Sequence, residues 1–368
     1  MVATVLKGTN RQKYHVTLCG LSPGNADVTS LQGLADEIHV LGMRNFFDLS
    51  VIVPLYTLLK RSKVDVLHTH RIRPDIVGRI VGTLARIPVN ISTQHYVEEW
   101  SERGTIVHRI VRALFKWTMG LCQSVACISA AEQDTLLQEI GEQHRSKTCV
   151  VHNGLDTDYF QRPPQAELAA LRKALALPPR ARVVTVVAYL TERKGHQYLL
   201  EAIAQLRQAF PDIVLLIVGD GPQESELVHQ AEGLGITEYT RFLGNRKEIP
   251  GMLSLSEVAV LPSLWEPFGL AALEAMAVET PVVVTRTGGL PEFVTQDESG
   301  YLVPPADAQA LAESITQLLA NPAMSLQMGI AARNTVMQRF TARHVALAYE
   351  RLYEQYLADI TPPAQKRS

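Results

Sequence analysis

Disulfide chemistry has little to work with in this chain. Four cysteines stand among 368 residues, Cys19, Cys122, Cys127 and Cys149, and no two are spaced as a metal-ligand pair. Each lies in or beside an apolar, strand-like run. That excludes a disulfide scaffold and a cysteine zinc site, and points to reduced thiols in a cytosolic protein. Long hydrophobic runs are missing too. Ile213 to Val218 and Val258 to Leu261 are strand-sized, far short of the roughly 20 residues that cross a bilayer. No charged stretch followed by an apolar core stands near Met1, so no secretory signal is visible and a cytoplasmic location is expected. An excess of one charge is also lacking: 35 Lys and Arg face 37 Asp and Glu. Nucleic acid is therefore not an expected partner.

What is present is an alternation of short apolar runs and helical patterns. In the first half the runs are Tyr14 to Cys19, Glu37 to Leu41, Val64 to His68, Val89 to Thr93, Ser124 to Ser129 and Lys147 to His152. In the second they are Arg182 to Ala188, Ile213 to Val218, Thr240 to Leu243, Val258 to Pro262, Pro281 to Thr285 and Tyr301 to Val303. Such alternation predicts an α/β protein with two doubly wound parallel sheets. Ser129-Ala-Ala-Glu132 reads as a capping box. The turn Asn153-Gly154, followed by Pro163-Pro164, marks the domain junction. Asp156 and Asp158 at this junction spell D-x-D, a metal-binding pattern elsewhere, but no other carboxylate or His stands near, and a hinge is the plainer reading.

Charge is unevenly spread. Residues 1–155 hold 17 Lys and Arg against 13 Asp and Glu, and eight of the eleven His. A weak preference for an anionic partner follows for this half. A helix over Ile106 to Met119 is expected to carry Arg109, Arg112 and Lys116 on one side and apolar residues on the other. That pattern suits an anionic membrane surface, but a solvated basic face on a helix packed against a sheet is the stronger reading.

Two carboxylates carry the most specific chemistry. Glu266 precedes Pro-Phe-Gly269, and Glu274 stands eight positions later, two turns into a helix opened by Gly269 or Leu270. The N–H groups at such a helix start, after Phe268, suit a phosphate. Glu274 can then reach a ribose, and Glu266 a second sugar. A buried amphipathic helix with a Glu at each end is the alternative. Arg193-Lys194-Gly195 follows the strand that begins the second half, where adjacent cations can hold a diphosphate or simply be solvated. Gly219-Asp220-Gly221 follows another strand, but Glu224 stands where a dehydrogenase needs glycine, so the nicotinamide fingerprint fails. In the first half His68, His70 and His95 close strands, and ligands of open parallel sheets bind at those ends.

The Glu266-x7-Glu274 pattern, the Lys194-Gly195 pair and the stretch Phe242 to Arg246 resemble retaining GT-B glycosyltransferases of family 4 (glycosyl transferases group 1), from about Val2 to Tyr356. The resemblance implies an acceptor domain over 1–154, a nucleotide-sugar domain over 155–345, and a C-terminal helix over 346–368 that packs back on the first domain before a polar tail. It implies sugar transfer to a saccharide or lipid-linked acceptor, retention of configuration, no metal and no cofactor beyond the nucleotide-sugar. It places Lys194, Gly221, Leu243 and Glu274 around the nucleotide, and ranks His95 above His70 and His68 as a group near the donor sugar. Tyr189 stands where many members have Arg, so Arg193 becomes the substitute phosphate contact. An epimerase, a sugar phosphorylase and a non-catalytic binding protein of the same fold stay open. The family usually begins with an apolar strand and a glycine-rich loop ahead of the helix face Val2, Val5 and Leu6. The first convincing strand here is Tyr14 to Cys19, so the first domain is expected to lack its opening strand through N-terminal truncation.

Overall fold

A computed structural model describes residues 1–22, 31–45, 48–95 and 106–360. The chain forms two compact units, Leu155–Thr341 and the remainder, with Met1–Gly154 joined by the segment from Ala342 onward. The returning segment thus starts four residues before position 346. The polar tail expected after it lies outside the described residues.

In the first unit the order is α1 (Val2–Gly8), β1 (Thr17–Gly20), β2 (Glu37–Val40), α2 (Ile52–Arg61), β3 (Val66–His70), α3 (Ile72–Leu84), β4 (Val89–Gln94), α4 (Ile106–Thr118), β5 (Ser124–Cys127), α5 (Ala130–Ile140) and β6 (Thr148–Val150). All pairings are parallel, but they make two sheets: β1-β2, and β3-β4-β5-β6. Ser129 caps α5 by accepting the Glu132 N–H at 3.0 Å, as the capping pattern predicts. The four cysteines are unpaired.

The second unit continues with α6 (Gln165–Ala174), β7 (Arg182–Val187), α7 (His196–Leu206), β8 (Ile213–Val218), α8 (Glu224–Gly233), β9 (Thr240–Phe242), α9 (Ile249–Leu255), β10 (Val258–Leu261), α10 (Leu270–Ala277), β11 (Val282–Thr285), β12 (Gly300–Val303), α11 (Ala308–Ala320) and α12 (Pro322–Arg339). Its six parallel strands lie in the order β12-β11-β10-β7-β8-β9. Both faces are covered, which explains why β8 is apolar at every position. Ile213, Leu215 and Ile217 pack on one side with Leu199, Ile203 and Leu311. Val214, Leu216 and Val218 pack on the other with Leu177 and Met252. The first three strands run outward one way from β7 and the last three run the other way from β10. The reversal leaves a crevice at the carboxyl ends of β7 and β10, the place where open sheets of this kind bind ligands.

α13 (Ala342–Ile360) belongs to the first unit. Its Val345 and Tyr349 are buried with Val5 of α1, Ala126 of β5 and Val151. Among the described residues, no helix is long and apolar enough to cross a membrane.

Candidate functional site

The loops after β7 and β10 meet at that crevice through side chains 72 positions apart. Lys194 Nζ donates to Glu266 Oε2 at 2.5 Å, and both side chains are largely shielded, at 15 and 10 % exposure. Ser263 Oγ donates to the same carboxylate oxygen at 3.2 Å. The two residues assigned separately to phosphate and sugar are therefore joined as one ion pair. The cation is thereby partly desolvated and held in one place by its carboxylate.

Backbone contacts hold the Glu266 loop from both sides. From the β7 side, the Arg193 carbonyl accepts the Leu264 N–H at 2.8 Å, and Arg193 Nη1 donates to the Trp265 carbonyl at 2.9 Å. From the β11 side, Thr285 and Thr287 hydroxyls donate to the Ser263 and Leu264 carbonyls, and the Gly289 N–H donates to the Glu266 carbonyl at 3.0 Å. Gly195 and Gly288 make this approach possible. Both have positive φ, +65° and +52°, and a Cβ would overlap the Pro262 carbonyl in the first case and the Glu266 carbonyl in the second. Arg193 thus clamps the loop through one nitrogen of its guanidinium.

The remaining expected residues fall around the same end of the sheet. Gly221 sits against Leu190, whose N–H donates to the Asp220 carbonyl at 2.7 Å. The Leu243 N–H is used by the Ile217 carbonyl at 2.9 Å. Asp220 and Asn245 side chains bridge the loops after β8 and β9 at 2.5 Å. Phe268 is 2 % exposed and packs on Phe293 and Phe340 with ring centroids 5.1 and 6.0 Å away. Its ring is core, so only its backbone can meet a ligand. Gly269 is the N-cap of α10, and Leu270 begins the helix. Glu274 is the fifth residue of α10, little more than one turn in rather than two. Burial pushes its carboxyl up to about 7. Carboxyls raised by burial cluster at functional sites.

Three participants were not singled out in the sequence. Ser263 and Trp265 carry no motif of their own; the Glu266 contacts reveal them. His196 opens α7 beside Lys194, is 1 % exposed, and has no hydrogen-bond partner at either ring nitrogen among the described residues. Burial, then Lys194, lowers its pKa to about 4, so it adds no charge to the site.

In the first unit the three histidines separate in role. His68 points inward: Nδ1 meets the Tyr353 hydroxyl at 2.6 Å and Nε2 meets Thr93 Oγ1 at 2.7 Å. His70 and His95 are joined to each other, Nδ1 to Nε2, at 3.1 Å. Burial is the largest cause lowering all three, His95 to about 4, so the group is neutral near pH 7. Asp156 and Asp158 start the second unit, where the Asp156 carbonyl accepts the Phe160 N–H at 3.0 Å.

Comparison with known proteins decides the family. The model described as "Glycosyl transferases group 1" matches residues 169–335, and the model "Glycosyltransferase Family 4" matches residues 1–159. A glycogen synthase from Mycobacterium tuberculosis is 31% identical over 78% of this chain and 68% of its own length. This chain belongs to the group 1, family 4 glycosyltransferases. The UDP-Gal:alpha-D-GlcNAc-diphosphoundecaprenol alpha-1,3-galactosyltransferase of Escherichia coli is 29% identical over 80% of this chain and 76% of its own. Among solved structures, the Anabaena protein HepE in complex with UDP and glucose superposes with a TM-score of 0.81 at 23% identity, covering 96% of this chain and 95% of that one. The GT-B glycosyltransferase fold, with two Rossmann-like units, is thereby shown.

Proposed function

We propose that this glycosyltransferase moves a hexosyl group from a nucleotide-sugar to a saccharide or lipid-linked acceptor in cell-surface polysaccharide or glycolipid synthesis. The reaction retains configuration and needs no divalent metal. The observation that carries the reading is the Lys194–Glu266 pair across the β7/β10 crevice, on the loop that leads into α10 with Glu274. As the sugar–phosphate bond breaks, negative charge grows on the diphosphate. Lys194 and the N–H groups at the start of α10 stabilise it. Glu274 accepts from the ribose hydroxyls. Glu266 orients the sugar, a task for which the family resemblance also names His95, and the acceptor hydroxyl attacks the face from which the phosphate departs. The Gly221 and Leu243 loops border the nucleotide. The UDP complexes of HepE and the UDP-Gal donor in the name of the E. coli relative make UDP-sugars the first donors to test.

The test is release of free nucleotide from a panel of UDP-, GDP- and ADP-sugars, with and without saccharide and polyprenyl-linked acceptors. Acceptor-dependent release from one donor class is the expected result. A changed sugar without acceptor would establish an epimerase instead, and nucleotide binding without turnover a binding protein. In the same assay, excess EDTA leaves the rate unchanged, because Lys194 and the N–H groups at the start of α10 already take the role of a metal at the diphosphate. Complete loss restored by magnesium or manganese would return Asp156 and Asp158 to consideration as ligands.

An anionic membrane as acceptor surface is part of this reading. α4 is not basic outside and apolar inside, as its pattern suggested. Val111 and Phe115 point into the core, while Ile106, Ile110, Ala113 and Trp117 form a second apolar stripe on the exposed side, with Ile106 at 75% and Trp117 at 64% exposure. Arg109 and Lys116 flank it; Arg112 is tied to Glu139 at 2.7 Å. Each flanking cation is worth about 1 kcal/mol at an anionic surface, and each fully buried large apolar side chain about 1.5–3 kcal/mol. Co-flotation with phosphatidylglycerol-containing vesicles is expected, reduced at least tenfold by Ile110→Ser with Trp117→Ser. Equal recovery of both proteins would remove α4 from the interface.

A further inference from the structure

His95 follows β4 and His70 ends β3, so two adjacent parallel strands deliver the two rings to one place. Besides the 3.1 Å bond between them, the rings stack at 26° with centroids 5.4 Å apart. His70 in turn lies on His68, centroids 4.3 Å apart. His68 is held at both nitrogens, and its partner Thr93 also bonds the Tyr349 hydroxyl at 2.8 Å. Tyr349 and Tyr353 both come from α13, and Tyr349 is 1 % exposed. A continuous chain of contacts therefore runs from the C-terminal helix through His68 and His70 to His95.

We propose that His70 is a positioning residue for glycosyl transfer, holding His95 in one ring orientation and one tautomer, and that α13 sets His70 through His68. The proposal rests on the assignment of His95 to the donor sugar. A neutral imidazole has one N–H and one bare nitrogen. A bond between two neutral imidazoles therefore couples the two tautomers: whichever nitrogen carries the proton in the bond determines whether His95 Nδ1 is a donor or an acceptor. Nothing else in the first unit hydrogen-bonds the His95 ring among the described residues. Without His70, the ring can rotate about its side-chain bonds and populate both tautomers, so only part of the population presents the group the sugar requires.

Four variants test this by steady-state kinetics and by 15N spectra of the histidine rings. In the intact protein His95 is expected to show one protonated and one bare nitrogen. His70→Ala should average the two signals and lower kcat about tenfold to a hundredfold, with donor KM changed less than twofold. His70→Asn, which keeps an amide near the Nδ1 position, should restore the separate signals and most of kcat. Should His70→Ala fail to fold, Tyr353→Phe carries the test: it frees His68 Nδ1 with little change of shape, and a smaller loss of kcat with the same spectral averaging is expected. His95→Ala separates the two layers of the argument. An unchanged kcat there overturns the role of His95 itself. A large loss in His95→Ala beside an unchanged kcat and spectrum in His70→Ala overturns only the positioning role.

Discussion

Lys194→Ala removes donor turnover: kcat/KM falls by about a hundredfold to a thousandfold, the loss seen when one preorganised donor to a developing oxyanion is removed. Stability falls with it. Glu266 is left with its carboxylate shielded and its cation gone, and breaking a buried pair at one end costs about 3–5 kcal/mol. The two effects are separable because they have different cures. The double variant Lys194→Met, Glu266→Gln has no stranded charge and should recover most of the lost thermal stability. It should not recover turnover, since neither the cation for the diphosphate nor the acceptor for the sugar is present. Thermal unfolding and donor kinetics on the single and double variants check this. Near-normal turnover in Lys194→Ala at saturating and limiting donor would sink the assignment of the β7/β10 crevice.

Glu274→Gln is expected to trade function for stability, with a pH dependence that identifies the cause. Burial raises the Glu274 carboxyl from its ordinary 4.5 to about 7 in the folded protein. The folded state therefore holds a proton that the unfolded chain releases between those values, and stability drops as pH rises from 4.5 to 7. The penalty is complete above about pH 7 and absent below 4.5. Gln carries no charge to desolvate, so the variant should melt higher than the parent at pH 8 and alike at pH 4.5. Donor binding has the opposite requirement. Ribose hydroxyls donate to an ionised carboxylate, so binding draws the proton off, and the parent's donor KM should rise as pH falls from 7 to 5.5. The variant loses that dependence together with a charge-assisted hydrogen bond worth about 1.5–3 kcal/mol. A parent KM that is flat across this range would show that Glu274 does not meet the nucleotide.

The positions of the strands were legible because each is a short apolar run bounded by turn residues. β8 is the clearest case: six consecutive apolar residues have no place in a half-solvated sheet, and both of its faces are covered. The E-x7-E spacing and the Lys194-Gly195 pair were legible for a different reason. A helix start and a strand-to-helix turn each place a few neighbouring residues by local geometry, so short motifs carry their own positions. Phe268 shows the limit of that logic. A residue beside a helix N-terminus looks like a ligand contact in sequence, whereas its ring fills the space between Phe293 and Phe340.

By itself, then, the sequence determined the alternation of strands and helices, the break after Gly154, and the loops that hold the charged residues, since all of these follow from local pattern. Only the tertiary structure decided which charges meet. Strand order β7-β10 brings Lys194 to Glu266 across 72 residues, and turns Arg193 into a clamp on the Trp265 carbonyl. Strand register sets His70 against His95 and His68 against Thr93. The exposed stripe of α4 was equally hidden, because periodicity shows that a helix has apolar faces but not which of them a neighbouring element covers. Pairings of this kind depend on the order in which strands assemble, and no property of either partner's local sequence encodes that order.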